Sequence, residues 1–173
     1  DTLLPADCHI LVRLPIADDA AGLTPGRFGR ITVEHPGTRF DHRKNTELSA
    51  AEDTHFALSV LSSTLVVAGP STVCIDAAFF DKPIVLVGFD GDTPRPYEKS
   101  IRRYYDADHF APVLESGGVV LAESAEAFAN ALRGYLIDPT RDRAGRRKLI
   151  EDQAWRLDCR ASERLAAALL TLL

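Results

Sequence analysis

The chain has 173 residues and a formal net charge of −5, with 46% hydrophobic and 26% charged residues. This balance is typical of one soluble globular domain with a sizeable core. The negative charge argues against general binding of nucleic acid, which needs a basic field to displace counterions. No apolar run approaches the roughly 20 residues that span a bilayer. Because the chain contains no Met, we expect it to be a piece of a longer protein.

The first part of the chain predicts two strands separated by broken segments. LLPADC, near the start, is typical of the end of a helix, and HILVRL (9–14) and RITVEH (30–35) are typical of strands. The stretch 17–29 between the strands contains too much Gly and Pro for a good helix. Residues 39–47 are polar and predict a loop.

A helix is predicted to begin at Ser49. Ser49 and Glu52 have the spacing of a capping box, in which each side chain binds a free N–H group of the first turn. The helix should end near Ser62-Ser63. After it, residues 64–69 predict a strand buried on both faces, 71–81 a short helix, and 83–89 a second buried strand.

The remainder continues the alternation. Residues 117–122 predict a strand and 126–136 a helix, and Asp138-Pro139 is typical of an N-cap followed by Pro in the first turn. The rest should be helical, with a break around 157–160. A group of basic residues is spread around this last helix and predicts a solvated face rather than a partner surface: Arg141, Arg143, Arg146, Arg147 and Lys148.

Cysteines and histidines exclude two classes of site. Cys8, Cys74 and Cys159 have no paired spacing, which favours reduced thiols and a reducing compartment. Cys74 lies in an apolar segment and is predicted to be buried. The five histidines lack the spacing of zinc ligands, so no metal site is predicted.

Strands that alternate with helices imply a parallel sheet with helices on both faces. We therefore predict a single α/β domain over 1–173, with a Rossmann-like, doubly wound sheet. Such a domain usually opens with a strand and then a helix. Since LLPADC is interpreted as the end of that helix, the first strand of the fold is expected to be missing from this chain.

The turn from Gly69 to Thr72 is the strongest candidate for a binding site. In open parallel sheets, ligands bind beyond the carboxyl ends of the strands, and N–H groups at a helix start bind anions. Ser71 and Thr72 add hydroxyl groups, and Asp76 lies four residues after Thr72 on the same helix face. A phosphate at the turn would place its ribose near Asp76. Helix capping by Ser71 and Asp76 is the alternative interpretation.

The order of these segments resembles a known family. An Arg-bearing strand (ILVRLP), a polar loop and a helix containing EDTHFALSVL precede AGPSTVCIDAAFFDKPIV. This order resembles the carboxyl-terminal, donor-binding domain of GT-B glycosyltransferases, especially bacterial surface-polysaccharide enzymes and teichoic-acid glycerophosphotransferases. The likeness covers roughly residues 8–136, and only 61–87 is specific. The resemblance implies that Gly69, Ser71 and Thr72 bind phosphate, that Asp76 binds ribose, and that Arg13 contacts phosphate or donor.

Three other motifs are weaker. Relatives often carry His-Pro after the basic strand, whereas here His35-Pro36 follows the next strand and either lines the site or lies in a surface loop. The run His42 to Asn45 resembles a motif of nucleotide-sugar 2-epimerases at another position, which indicates coincidence or a basic loop. The run Arg102 to Tyr105 contacts phosphate, covers an interface, or forms an ordinary helix surface.

The resemblance implies the donor domain of a glycosyltransferase-type enzyme. Its ligand would be a nucleotide-diphosphate sugar or polyol, with no metal or other cofactor. A missing amino-terminal domain would bind the acceptor and supply the general base, so the isolated chain is expected to be inactive. The full-length enzyme would be cytoplasmic and peripherally associated with the inner membrane face. The alternatives are a nucleotide-sugar 2-epimerase-like domain and a non-catalytic α/β binding module.

Overall fold

A computed structural model describes residues 4–15, 29–39, 46–93 and 95–172. The chain divides into two compact units, Asp1–Ser59 and Val60–Leu173. Each unit contains a short parallel sheet, and helices complete the structure. The predicted α/β class is therefore confirmed.

The first unit contains a parallel pair of strands, β1 (Ile10–Arg13) and β2 (Ile31–Glu34). Their register places Arg13 opposite Glu34. Both predicted strands are confirmed, because runs rich in β-branched and other apolar residues suit a pleated, half-buried surface. The predicted broken segment between them lies outside the described residues, apart from its last residue, Gly29.

One expectation for the first unit is wrong, and another is tested only at its ends. Residues 4–8 contain a turn, closed by the Cys8 N–H donating to the Pro5 carbonyl at 3.0 Å, rather than the end of a helix. A proline disfavours the α conformation in the residue before it. Of the predicted loop at 39–47, residues 40–45 lie outside the described residues. Its ends belong to two paired antiparallel strands, β3 (Thr38–Arg39) and β4 (Thr46–Glu47). Threonine, which is β-branched, favours this extended backbone.

Helix α1 (Ala50–Ser62) begins and ends where the sequence predicts. The Ser49 N–H donates to Glu52 Oε2 at 2.7 Å, and the Glu52 N–H donates to Ser49 Oγ at 3.3 Å. The Glu52 carboxylate also accepts the Gly37 N–H. The N–H groups of Ser49 and Gly37 hold the pKa of Glu52 below its usual value. The capping box is therefore confirmed.

The second unit is built on a three-stranded parallel sheet in the order β5 (Val66–Ala68), β6 (Ile84–Val87), β7 (Val120–Ala122). The first three residues of β6 are inaccessible to solvent, which confirms a strand buried on both faces. Among the described strands, β5 pairs only with β6, and Val67 is 43% exposed. The prediction that β5 is buried on both faces is wrong, because Val67 points to the opposite face from its strand neighbours.

Three helices follow or precede these strands. Helix α2 (Val73–Phe79) joins β5 to β6 and packs against both. Helix α3 (Ala111–Glu115) precedes β7, and α4 (Ala125–Ile137) follows it and packs on β6 and β7. Ser124 is the N-cap of α4, and its hydroxyl accepts the Ala127 N–H at 3.1 Å. The helices predicted after β5 and β7 are confirmed.

The last part of the second unit forms α5 (Arg143–Ala154) and α6 (Ala161–Leu170), and the predicted break between them is confirmed. The helix start predicted at Asp138-Pro139 is wrong. The Asp138 carboxylate accepts the N–H of Thr140 at 2.9 Å and its hydroxyl at 2.6 Å. This local turn competes with helix formation, so α5 begins later.

The predicted solvated basic face of α5 is wrong for Arg146, whose side chain is 1% exposed. Its Nε donates to Asp81 Oδ1 at 2.9 Å. Its terminal amino groups donate to the carbonyls of Arg141 at 2.6 Å and Pro139 at 3.1 Å. Because these partners satisfy the guanidinium, a charged side chain is accommodated in the core.

The backbone of α5 packs closely against the backbone of the loop before β7. A Cβ added at Gly145 would overlap the backbone of Gly117. A Cβ added at Gly118 would lie 2.6 Å from the Arg146 backbone nitrogen. The missing side chains of Gly118 and Gly145 therefore allow α5 to contact the loop before β7 directly, and this contact buries the residue that follows Gly145. Among the described residues, no helix combines the length and apolar character that crossing a bilayer requires.

Candidate functional site

The loop Gly69 to Thr72 joins the carboxyl end of β5 to α2. Ser71 and Thr72 are exposed. Thr72, at the N-cap position, makes no side-chain cap, and Ser71 Oγ accepts the Val73 N–H only at 3.4 Å, beyond the usual range. Within the described part of the chain, the backbone N–H groups of Ser71 and Thr72 donate to no acceptor. Among the described residues, the loop therefore has two exposed hydroxyl groups and two backbone N–H groups without an acceptor.

Gly69 lies next to the side chain of Ile101. A Cβ added at Gly69 would lie 3.7 Å from Ile101 Cδ1, an ordinary contact distance. Packing therefore does not require a glycine here. Ile101 is positioned by Asp90, in the loop after β6, whose Oδ1 accepts the Ile101 N–H at 2.8 Å. The loops that follow β5 and β6 are thus connected at the carboxyl edge of the sheet.

Asp76 lies on α2 one turn after Thr72 and is half-buried. Its burial raises the pKa of the carboxyl above its usual value. Within the described residues, no side chain forms an ion pair or hydrogen bond with it. Among the described residues the Asp76 carboxylate thus lacks a protein partner, one helical turn from the exposed hydroxyls. Its oxygens keep contact with solvent, since no buried side-chain oxygen of those residues is without a hydrogen bond.

Cys74 supports the loop from the core side. The prediction of a buried, free thiol is confirmed. Burial raises the pKa of Cys74 to about 11, so the thiol is protonated at neutral pH. Its Sγ donates to the Ser71 carbonyl at 2.9 Å. The contact fixes the loop, and a protonated thiol at this position is not a nucleophile.

Arg13, the fifth predicted site residue, lies in the first unit, whereas the other four lie in the second. Its NH1 donates to Glu34 Oε2 at 3.1 Å, and its guanidinium lies 5.6 Å from the ring centroid of Phe56. Glu34 Oε1 lies 2.7 Å from His55 Nε2. The charge of Arg13 is therefore already compensated within its own unit, and its contact with a donor stays a prediction.

The other singled-out residues are placed as follows. His35 is exposed after β2, and its contribution to a site stays a prediction. The run His42 to Asn45 lies outside the described residues. In the run Arg102 to Tyr105, Tyr105 belongs to the core, where its hydroxyl donates to the Val87 carbonyl at 2.8 Å. Burial raises the pKa of Tyr105 well above its usual value.

Sequence reasoning missed Asp90, Ser100 and Ile101. Their contacts join two loops, and no periodic pattern predicts which loop residues meet. One usable signal was position: Asp90 follows the last residue of β6 by three places, as Ser71 follows the last residue of β5. Polar residues at equivalent places after neighbouring parallel strands meet at one edge of the sheet.

No group of three His, Cys, Asp or Glu side chains in the described ranges is arranged to hold a metal ion. No protein-family model, no curated protein and no solved structure matches the chain. The candidate site therefore depends on the geometry of the second unit and on the sequence resemblance.

Proposed function

We propose that the second unit binds the diphosphate and ribose of a nucleotide-diphosphate sugar or polyol at the carboxyl edge of its sheet. In this proposal the chain is the donor-binding part of a GT-B glycosyltransferase-type enzyme of surface-polysaccharide synthesis. The observation that carries the proposal is Asp76, a half-buried carboxylate without a partner among the residues that the structure describes. It lies one helical turn beyond the exposed hydroxyls of Ser71 and Thr72.

The phosphate is proposed to bind at Ser71 and Thr72. Their hydroxyls are exposed, and their N–H groups have no acceptor among the described residues. Hydrogen bonds to a charged acceptor are roughly twice as strong as neutral ones. Since α2 has only seven residues, we ascribe binding of the anion to these direct hydrogen bonds rather than to the helix dipole.

The ribose is proposed to bind at Asp76. A sugar attached to a phosphate at the loop would lie about one turn further along α2. Its hydroxyl groups would donate to the Asp76 carboxylate and replace the water that burial removes. Hydrogen bonds to the charged form favour ionisation, so ligand binding is expected to lower the pKa of Asp76 from its raised value.

The rest of the enzyme follows from the same proposal. The finer fold is a Rossmann-like, doubly wound sheet with helices on both faces. A further domain of the same protein binds the acceptor and supplies the general base, and no metal ion is assigned to the chemistry. The nucleotide diphosphate leaves with developing negative charge, which hydroxyl and N–H donors stabilise. The enzyme works in the cytoplasm, at the inner face of the membrane.

Calorimetric titration with UDP, CDP and GDP tests this proposal. We expect one of them to bind, and Asp76→Asn to weaken that binding roughly tenfold or more, since a hydrogen bond to a charged group contributes about 1.5–3 kcal/mol. Asp108→Asn is the matched control, because Asp108 is exposed in the same unit and loses the same charge. No binding by the wild type, or equal losses in the two variants, would contradict the proposal.

A further inference from the structure

Arg102 is fixed at the same edge of the sheet by the residues that precede it. Ile101, immediately before it, lies against Gly69. The backbone N–H and the Nε of Arg102 donate to Ser100 Oγ at 3.2 and 3.3 Å. Within the described residues, the two terminal amino groups of Arg102 have no acceptor. The guanidinium is therefore held at its inner nitrogen, and its outer donors are available.

The anchor of Arg102 is itself buried. Ser100 is 1% exposed. Asp90 accepts the Ile101 N–H, and this bond, the Ser100 hydroxyl and the nearby charges of Arg102 and Arg95 hold the pKa of Asp90 below its usual value. Asp90 is thus ionised at neutral pH. Asp90 therefore fixes the backbone of Ile101, and the buried Ser100 holds the backbone N–H and the Nε of Arg102.

We propose that Arg102 binds the diphosphate of the donor and selects a nucleoside diphosphate over a monophosphate. The inference rests on the proposed function. A planar guanidinium with two available amino groups matches the oxygens of a phosphate in a bidentate arrangement. The Ile101 side chain lies near Gly69, and Arg102 is the residue that follows Ile101 in the chain. The diphosphate would bind between the Gly69–Thr72 loop and this guanidinium.

The neighbouring Arg103 provides a matched control. It is also exposed and carries the same charge. Its NH1 donates to the Glu98 carbonyl at 2.8 Å and its NH2 to the Tyr104 hydroxyl at 2.6 Å. Because its terminal amino groups already have acceptors, removal of Arg103 takes away one positive charge beside Arg102 without removing available donors, and the thermal melts measure the effect of its two lost hydrogen bonds on the fold.

The experiment compares wild type, Arg102→Gln, Arg102→Lys and Arg103→Gln by calorimetry, after thermal melts confirm that each is folded. The probes are UDP, CDP and GDP, their monophosphates, and inorganic pyrophosphate. We expect Arg102→Gln to weaken the binding of the nucleoside diphosphate roughly ten- to a hundredfold and the binding of the monophosphate less. Arg102→Lys should be intermediate, since it keeps the charge without the planar fork, and Arg103→Gln should match wild type.

The outcomes separate this inference from the proposed function. Wild-type binding of a nucleoside diphosphate that Arg102→Gln leaves unchanged, or that both glutamine variants weaken equally, overturns the role of Arg102 alone. Pyrophosphate binding that requires Arg102 but gains nothing from a nucleoside supports the Arg102 anion site and contradicts the donor proposal. Failure of wild type to bind any of the probes overturns both.

Discussion

Asp76 affects stability and binding in opposite directions. Burial raises its pKa in the folded chain, so folding favours the protonated carboxyl. The stability linked to this group is fully present below the pKa of the unfolded chain and is lost as the pH rises through the raised folded value. At neutral pH the ionised carboxylate therefore destabilises the fold, and the proposed ribose hydroxyls would offset that cost.

Asp76→Asn is accordingly expected to raise the melting temperature at about pH 7 while it weakens nucleotide binding. The difference from wild type should shrink toward about pH 5, because the wild-type carboxyl becomes increasingly protonated as the pH falls toward its folded pKa. Thermal melts of both proteins without ligand, at the two pH values, measure this. A variant that is less stable than wild type at neutral pH would show that Asp76 makes a structural hydrogen bond.

Ser71 and Thr72 allow the phosphate contact to be separated from the rest of the ligand. Ser71→Ala combined with Thr72→Val should weaken the binding of a nucleoside diphosphate more than that of the matching nucleoside. The difference in binding free energy should be roughly 1.5–3 kcal/mol for each lost hydrogen bond to the charged phosphate. Both side chains are exposed and Thr72 caps nothing, so the melting temperature should change little. Calorimetry with the two ligands measures the difference. Equal losses of affinity for both ligands would contradict the placement of the phosphate at these residues.

At the scale of elements, α5 is held to the unit by its arginines. Arg146 is buried, whereas Arg143 Nε donates to the other carboxylate oxygen of Asp81 at 2.6 Å from a side chain that is 46% exposed. The two arginines share one acid but differ in solvation. Removal of Arg146 takes a buried side chain and its hydrogen bonds out of the core, although Asp81, which is 42% exposed, keeps Arg143 as a partner. Loss of the exposed Arg143 contact should cost little.

Arg146→Met should therefore lower the free energy of unfolding by roughly 3 kcal/mol, since the methionine keeps most of the apolar stem and loses every hydrogen bond. Arg143→Met, the matched control on the same helix, should cost less than about 1 kcal/mol. Urea denaturation of the three proteins gives both values. Similar losses in the two variants would show that burial does not distinguish these arginines.

The sequence predicts elements better than it predicts their surroundings. The apolar run of β6 was sufficient to predict a buried strand, and the capping box was sufficient to predict the start of α1, because both signals lie within a few consecutive residues. Arg146 was misplaced because its burial depends on Gly145 contacting Gly117, a contact between residues far apart in sequence. Val67 was misplaced because an apolar run does not state how many neighbours its strand has.

The same limit applies to the candidate site at the scale of the whole molecule. The turn Gly69–Thr72 and Asp76 were predicted, since one strand and the helix after it contain them all. Ile101 and Asp90 were not, because their contact with the site depends on how the loop after β6 folds back. Arg13 belongs to the other unit, and its role in donor binding stays a prediction.

For the whole chain we expect donor binding without catalysis. If the acceptor site and the general base belong to another domain, the 173 residues should bind a nucleoside diphosphate with a dissociation constant of roughly 0.1 mM or weaker, because half of the contacts are absent. A radiolabel assay with nucleotide-sugar donors should detect no transfer and no hydrolysis. Turnover by this chain alone would contradict its assignment as the donor half of an enzyme.

The location of the ligand is the central claim, and backbone amide chemical shifts test it most directly. In a titration of the ¹⁵N-labelled chain with UDP, CDP and GDP in turn, we predict that the one that binds produces its largest shifts at the N–H groups of Ser71, Thr72 and Val73. Smaller shifts should follow at Asp76 and Ile101. Saturable shifts concentrated away from the carboxyl edge of the β5–β6–β7 sheet, or no shifts with any of the three, would contradict the account.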